Sequence, residues 1–167
     1  MKFLSKIVGV LAGLSYLIIL LVFIVVAPMV AGYRTVVVLT GSMEPTYGVG
    51  SVIYYKAQSF ESINEGDVIT FSVTDDSKSV VTHRVASKDT ANRSFMTKGD
   101  ANSTGDTNPI SYSNVKGKVL TYHLPYAGYF VQYIQNIWFI VPMVLILMAK
   151  VGMNYWEESQ KKEEELV

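Results

Sequence analysis

Residues 7–33 read IVGVLAGLSYLIILLVFIVVAPMVAGY, a run without a single charge. At 1.5 Å per residue, a helix of about 25 such residues covers roughly 37 Å, enough to cross the hydrocarbon core of a bilayer with some tilt. A cleaved signal peptide needs an apolar region of only about 7 to 15 residues, and Pro28 directly after Ala27 makes a poor cleavage junction. The run therefore predicts a retained transmembrane anchor, and the rest of the chain is organised around it.

A second apolar stretch, IWFIVPMVLILMA at residues 137–149, follows AGYFVQYIQN. Alone it is short for a span. Taken over residues 129–153, with Tyr133, Trp138, Tyr155 and Trp156 as interfacial aromatics, it reaches spanning length. Pro142 within it is tolerated in membrane helices. The tail WEESQKKEEELV sets Glu157 four residues before Lys161 and Glu158 four before Lys162, spacing that supports a solvated helical extension. Lys2 and Lys6 precede the first apolar run and only Arg34 closely follows it. The positive-inside rule then places the N-terminus in the cytoplasm. The expected organisation is a cytoplasmic N-terminus (1–6), an anchor helix (7–33), an extracytoplasmic domain (34–128), a second transmembrane helix (129–153) and a charged cytoplasmic tail (154–167). This describes a multi-pass protein of the plasma membrane or an ER-type membrane, with the lipid membrane as a partner.

Composition narrows the chemistry. The 167 residues carry 14 Lys and Arg against 14 Asp and Glu, a formal net charge of zero. No basic block argues for nucleic acid. With no cysteine there is no disulfide, thiolate zinc site or cysteine nucleophile. Two histidines, His83 and His123, are too few for a histidine-rich metal centre.

The polar middle reads as β. Short runs rich in Val, Ile, Tyr, Phe and Thr recur between turn signals: RTVVVL, SVIYYKA, DVITFSV, SVVTHRVAS, RSFMTKG and VKGKVLTYHL. Their spacing suits a meander or small barrel. The fold class expected is mostly β, one small β-barrel or β-meander domain flanked by two transmembrane helices.

Three polar clusters stand out on that domain. In TGSMEPT, residues 40–46, Gly41 lets Ser42 sit on a turn at a strand end, where its hydroxyl is exposed and neighbouring N–H groups can face an oxyanion. The same residues also suit an ordinary turn. In VVTHRV, residues 80–85, alternation puts His83 on one face with Val81 and Val85, as a packed histidine or as the chain's best general base near neutral pH. In KGDANSTGDTNP, residues 98–109, Asp100, Asn102, Thr104, Gly105 and Asp106 match the early positions of a calcium loop. Ser111 stands where the bidentate glutamate belongs and no flanking helices are evident, so neither metal nor cofactor is expected. One of the two aspartates can instead orient His83, the task of a third triad member.

Together the clusters supply a nucleophile, a base and an acid in the order Ser, His, Asp. In that order they resemble the motifs of type I signal peptidases, in particular the ER-type branch that uses histidine where the bacterial-type branch uses lysine. The resemblance runs from the anchor to about residue 120. It implies Ser42 as nucleophile and His83 as general base. Asp106 matches the acidic residue usually assigned as third member, and Asp100, in KGD, matches a second family aspartate. Thr40 stands where many relatives carry Ser, and its hydroxyl would assist the Ser42 N–H in the oxyanion hole. The implied function is a membrane-anchored serine endopeptidase that removes N-terminal signal peptides from secretory preproteins after small residues at −1 and −3. The alternative from another class is a non-catalytic, membrane-anchored β domain serving as a binding or assembly subunit, its serine turn purely structural.

Overall fold

The computed structural model describes residues 2–74 and 79–165. Its chain divides into two units, residues 1–24 with 130–167, and residues 25–129.

The second unit holds seven strands in one antiparallel sheet, curled into a half-barrel. They are β1 (Arg34–Val37), β2 (Val52–Lys56), β3 (Val68–Ser72), β4 (Val80–Asp89), β5 (Ser94–Lys98), β6 (Ile110–Ser111) and β7 (Val115–Leu124). In space their order is β1-β2-β7-β3-β4-β5-β6. All six β-like runs of the sequence form strands, and β6, only two residues long, is the addition. Register breaks between Ile53 and Tyr55, Thr70 and Phe71, and Val85 and Ser87 are the kind of irregularity that sharpens twist and lets a sheet curl.

Curling divides the interior into two apolar clusters. One gathers Phe60, Ile63, Ile69, Phe71, Val85 and Phe95. The other gathers Met43, Tyr47, Ile53, Tyr55, Val68 and Val119, with Val36 and Val38 packed against it. Period-2 alternation sends neighbouring residues of β3 to opposite sides, so Ile69 and Phe71 join the first cluster while Val68 joins the second.

The first long helix, α1 (Lys2–Val30), ends at Val30 rather than at Tyr33. The cause is a Schellman closure: Gly32 takes φ +83°, its N–H donates to Met29 O (2.9 Å), and the Tyr33 N–H donates to Pro28 O (3.3 Å). Strand β2 then holds this end of the helix. The Tyr54 hydroxyl donates to Val25 O (2.9 Å) and Lys56 Nζ to Ala31 O (3.0 Å).

Residues 129–153 do not form one helix. They are shared between α2 (Ala127–Ile134) and α3 (Ile137–Glu165). Asn136 starts the second helix: its side-chain oxygen accepts the Trp138 N–H (3.0 Å), an N-cap bond that ends one helix and begins the next. Helix α3 runs on through the charged tail, where Glu158 and Lys162 pair at 3.1 Å. Both α1 and α3 are long and apolar enough to cross a membrane.

Candidate active site

Ser42 sits on a single 3₁₀ turn, Gly41–Met43. Thr40 enters it extended (φ −128°, ψ 156°) and Glu44 leaves it extended, its N–H donating to Gly41 O (3.0 Å). Met43, 2% exposed, plugs the turn into the second core cluster. The N–H groups of Gly41 and Ser42 precede the turn's own bonds, as the first donors of any helical turn do. They are the donors that could face an oxyanion. On the far side the Ser42 carbonyl accepts the Ala101 N–H (2.9 Å). Gly99 is required there, because a Cβ on it would stand 2.6 Å from that same carbonyl oxygen.

His83 lies on β4 opposite Ile69, 8% exposed, with its ring edge-on to Phe71 at 6.3 Å. Its Nε2 is 3.3 Å from Ser42 Oγ and its Nδ1 is 2.7 Å from Asp106 Oδ2. A carboxylate only accepts, so Nδ1 carries the proton and Nε2 is left to accept from the serine hydroxyl. Asp106 is itself held: its N–H donates to Thr97 O (2.8 Å) and the Thr97 hydroxyl donates to Asp106 Oδ2. Thr97 is fully buried, so the oxygen that faces His83 has a second, fixed partner.

Asp100 points elsewhere. Arg84 grips both of its oxygens, Nε to Oδ1 (2.8 Å) and Nη2 to Oδ2 (2.6 Å), and the Thr46 hydroxyl donates to Oδ2. The Arg84 hydrogen bonds, with help from Thr46, hold the Asp100 carboxyl below the usual aspartate range against the opposing effect of burial. The two aspartates left open by the sequence thus meet different partners. Among the described residues, no group of three or more His, Asp or Glu side chains could hold a metal ion.

Thr40 is exposed, its Oγ1 3.4 Å from Ser42 Oγ. His123 stacks edge-on against Tyr47 at 5.1 Å. Arg84, Thr97, Thr46 and Gly99 escaped the sequence reading. Arg84 and Gly99 adjoin residues it singled out, but nothing in local pattern told that they bear on the Ser42 turn.

A groove of about 330 Å³ runs up to Ser42, walled by residues 36–40 on one side and by Val80, Val81 and Thr82 on the other. β1 is one of the two edge strands of the sheet. The first residues of β4 pair with β3, whereas β5 joins β4 only from Arg84 onward. Two backbone edges therefore face an apolar channel that ends at a hydroxyl.

A hydroxyl, an imidazole and a carboxylate linked in that order form the constellation used for acyl transfer by serine hydrolases. The Signal peptidase, peptidase S26 family matches residues 11–89. Signal peptidase I W of Bacillus subtilis is 37% identical over 135 residues, 75% of this chain and 69% of that protein. The Signal peptidase complex catalytic subunit SEC11 of Verticillium alfalfae is 32% identical over 104 residues (56% of this chain, 59% of that protein), and SEC11C of Homo sapiens 33% over 103 (56% and 53%). The chain belongs to the S26 signal peptidase family. The family match covers Ser42 and His83 and stops short of both aspartates.

Proposed function

We propose that this protein is a membrane-anchored serine endopeptidase that cleaves N-terminal signal peptides from exported preproteins after small residues at −1 and −3. The observation that carries the reading is the unbroken chain from Ser42 Oγ to His83 Nε2 (3.3 Å) and from His83 Nδ1 to Asp106 Oδ2 (2.7 Å). His83 takes the hydroxyl proton as Ser42 attacks the scissile carbonyl, and later gives it to the leaving amine. Asp106, braced by Thr97, keeps the proton on Nδ1. Asp100 acts one step back: with Arg84 it locks the loop that carries Gly99 and Ala101 against the Ser42 turn.

The oxyanion is met by the Ser42 N–H, with the Thr40 hydroxyl as the second donor. One such donor lowers the barrier by roughly 3–4 kcal/mol. The cleavage region lies extended in the groove and adds as a strand to the exposed backbone edges; the apolar walls admit small side chains at −1 and −3. α1 and α3 cross the membrane and leave the β domain on the extracytoplasmic side of a plasma or ER-type membrane, where secretory preproteins emerge. No cofactor takes part.

The test is processing of a preprotein by the full chain in detergent or membranes. Ser42→Ala and His83→Ala should each abolish cleavage, Ser42→Ala with thermal stability close to the parent's and His83→Ala with the modest loss expected for a buried, hydrogen-bonded side chain. Undiminished processing by either variant would sink the assignment.

A further inference from the structure

The first turn of α2 lies against the back of β1, and the chemistry above gives it no task. Val36 and Val38 pack inward on the second core cluster. Val37 meets α2 instead: a Cβ added to Gly128 would stand 2.4 Å from Val37 Cγ1 and 2.7 Å from Gly50 O. The Gly128 N–H donates to that same Gly50 carbonyl (2.8 Å). Gly50 holds φ +82°, and the Tyr129 ring covers it so closely that a Cβ there would fall 2.2 Å from Cε2. Gly50 is in turn tied to the groove, its N–H donating to Val38 O (2.9 Å), and the Val38 N–H donates to Ser51 O (2.9 Å).

Gly50 and Gly128 thus meet backbone to backbone, with the Val37 and Tyr129 side chains packed against them, beside the wall made by residues 36–40. The wall begins in β1, a four-residue edge strand whose one partner is β2, and continues beyond the strand's end at Val37. An edge that must present its N–H and C=O groups to an extended peptide in fixed register cannot be steadied by a second strand on its open side. Its support comes from its faces, the core on one and α2 on the other. Interiors transmit such contacts because they are close-packed.

We infer that the first turn of α2 is a positioning element for the groove, with Gly128 and Tyr129 as its positioning residues, and that it holds β1 where only small side chains fit beside Ser42. The inference rests on the proteolytic reading and names what sets its side-chain selectivity. Gly128→Ala must lift the turn, because one of the atoms it strikes is backbone. Tyr129→Ala loosens the same contact with no clash, and Tyr129→Phe keeps it.

The experiment compares the full chain and these variants, in detergent, on two preproteins carrying Ala or Val at −1. It measures kcat and KM for each, and also the rate at which a small fluorophosphonate labels Ser42. A groove that tells apart side chains differing by a methylene or two discriminates by about 10–200-fold. Gly128→Ala and Tyr129→Ala should raise KM and reduce the preference for Ala by about fivefold or more, a readable part of that range. Labelling of Ser42 should stay close to the parent rate, and Tyr129→Phe should behave as the parent. If Gly128→Ala does not fold, Tyr129→Ala decides. An unchanged preference, or an equal loss on both substrates together with lost labelling, would overturn the inference. A parent chain that cleaves neither substrate would overturn the proteolytic reading itself.

Discussion

Exchanging each aspartate of the 98–109 loop for asparagine separates the orienting residue from the strut. In Asp106→Asn the shape stays and the charge goes. The Oδ2 that accepts from both His83 Nδ1 and Thr97 is replaced at best by an amide. If the amide NH₂ faces His83, the imidazole must turn to the tautomer with Nε2 protonated, which cannot accept the serine proton. A loss of this kind is worth about 10⁴-fold in kcat in a serine-protease triad, and about 10³-fold or more is expected here. Asp106 is a quarter exposed, so the accompanying loss of stability is about 1 kcal/mol, that of one net hydrogen bond.

Asp100→Asn should show the reverse balance. It removes one arm of a charge-assisted pair with Arg84, whose side chain is 36% exposed against 15% for Asp100. That exposure puts the loss toward the lower part of the range for hydrogen bonds to charged groups, about 1–2 kcal/mol. For a domain of this size such a loss lowers the melting temperature by roughly 4–16 °C. The kcat loss should be far smaller than that of Asp106→Asn, because Asp100 is bonded to Arg84 and Thr46 and not to His83. The assay is steady-state cleavage of a preprotein beside thermal melts of each variant. A kcat loss for Asp100→Asn equal to that of Asp106→Asn, with its melting temperature unchanged, would refute the division of roles.

Gly99→Ala should cut activity sharply, because its Cβ would lie 2.6 Å from the Ser42 carbonyl oxygen and the nucleophile must move away from His83; Ser42 labelling by a fluorophosphonate reads this directly. Thr40→Val should lower kcat by up to about 10²-fold with KM little changed, and Thr40→Ser should retain activity, if the hydroxyl donates to the oxyanion. Acid should remove the contribution of Asp100. Its folded pKa is depressed by Arg84, so the stabilisation is fully present above the ordinary value of about 3.9 and is lost as pH falls through the folded value. The stability gap between parent and Asp100→Asn, measured by denaturant melts, should be flat from about pH 8 to 5 and narrow below about pH 4.

Much of this architecture is legible in the sequence because it is written in short-range pattern. Alternation of Val, Ile and Tyr with polar residues marks strands, and an uncharged run of helical length marks α1. Ser42 and His83 are legible as chemistry only through each other, since each alone suits a turn or a packed strand. The choice between Asp100 and Asp106 is not legible. Both occupy the same Asx-rich loop, and what separates them is long-range: Arg84 on β4 reaches one and Thr97 on β5 holds the other. The break at Asn136 is hidden for a different reason. AGYFVQYIQN is apolar enough to continue a span, and the asparagine reads as a polar residue near an interface until its side chain is seen capping the Trp138 N–H. Gly128 and Gly50 carry no local signal, because their meaning is the absence of a Cβ between segments 78 residues apart.

As the proposed anchor, α1 is more than a leash. Twelve positions separate Val30, the last residue of α1, from Ser42, and an extended chain of that length could wander by roughly 40 Å. It does not, because β1 is paired residue for residue with β2, from Arg34 with Tyr55 to Val37 with Val52. The same β2 grips the helix end through Tyr54 and Lys56. One hairpin therefore carries both the final turns of the helix and one wall of the groove, so the position of the groove relative to that helix end is structural. Tyr54 makes the coupling costly to break. Its ring is fully buried, and a hydroxyl that loses the Val25 carbonyl would be left without its acceptor at about 1–3 kcal/mol. If α1 spans the membrane and the substrate is held in it, as proposed above, this matters kinetically. Tethering raises effective concentration only when the linkage lets both sites engage at once, and a short, paired linkage gives one geometry in which they meet.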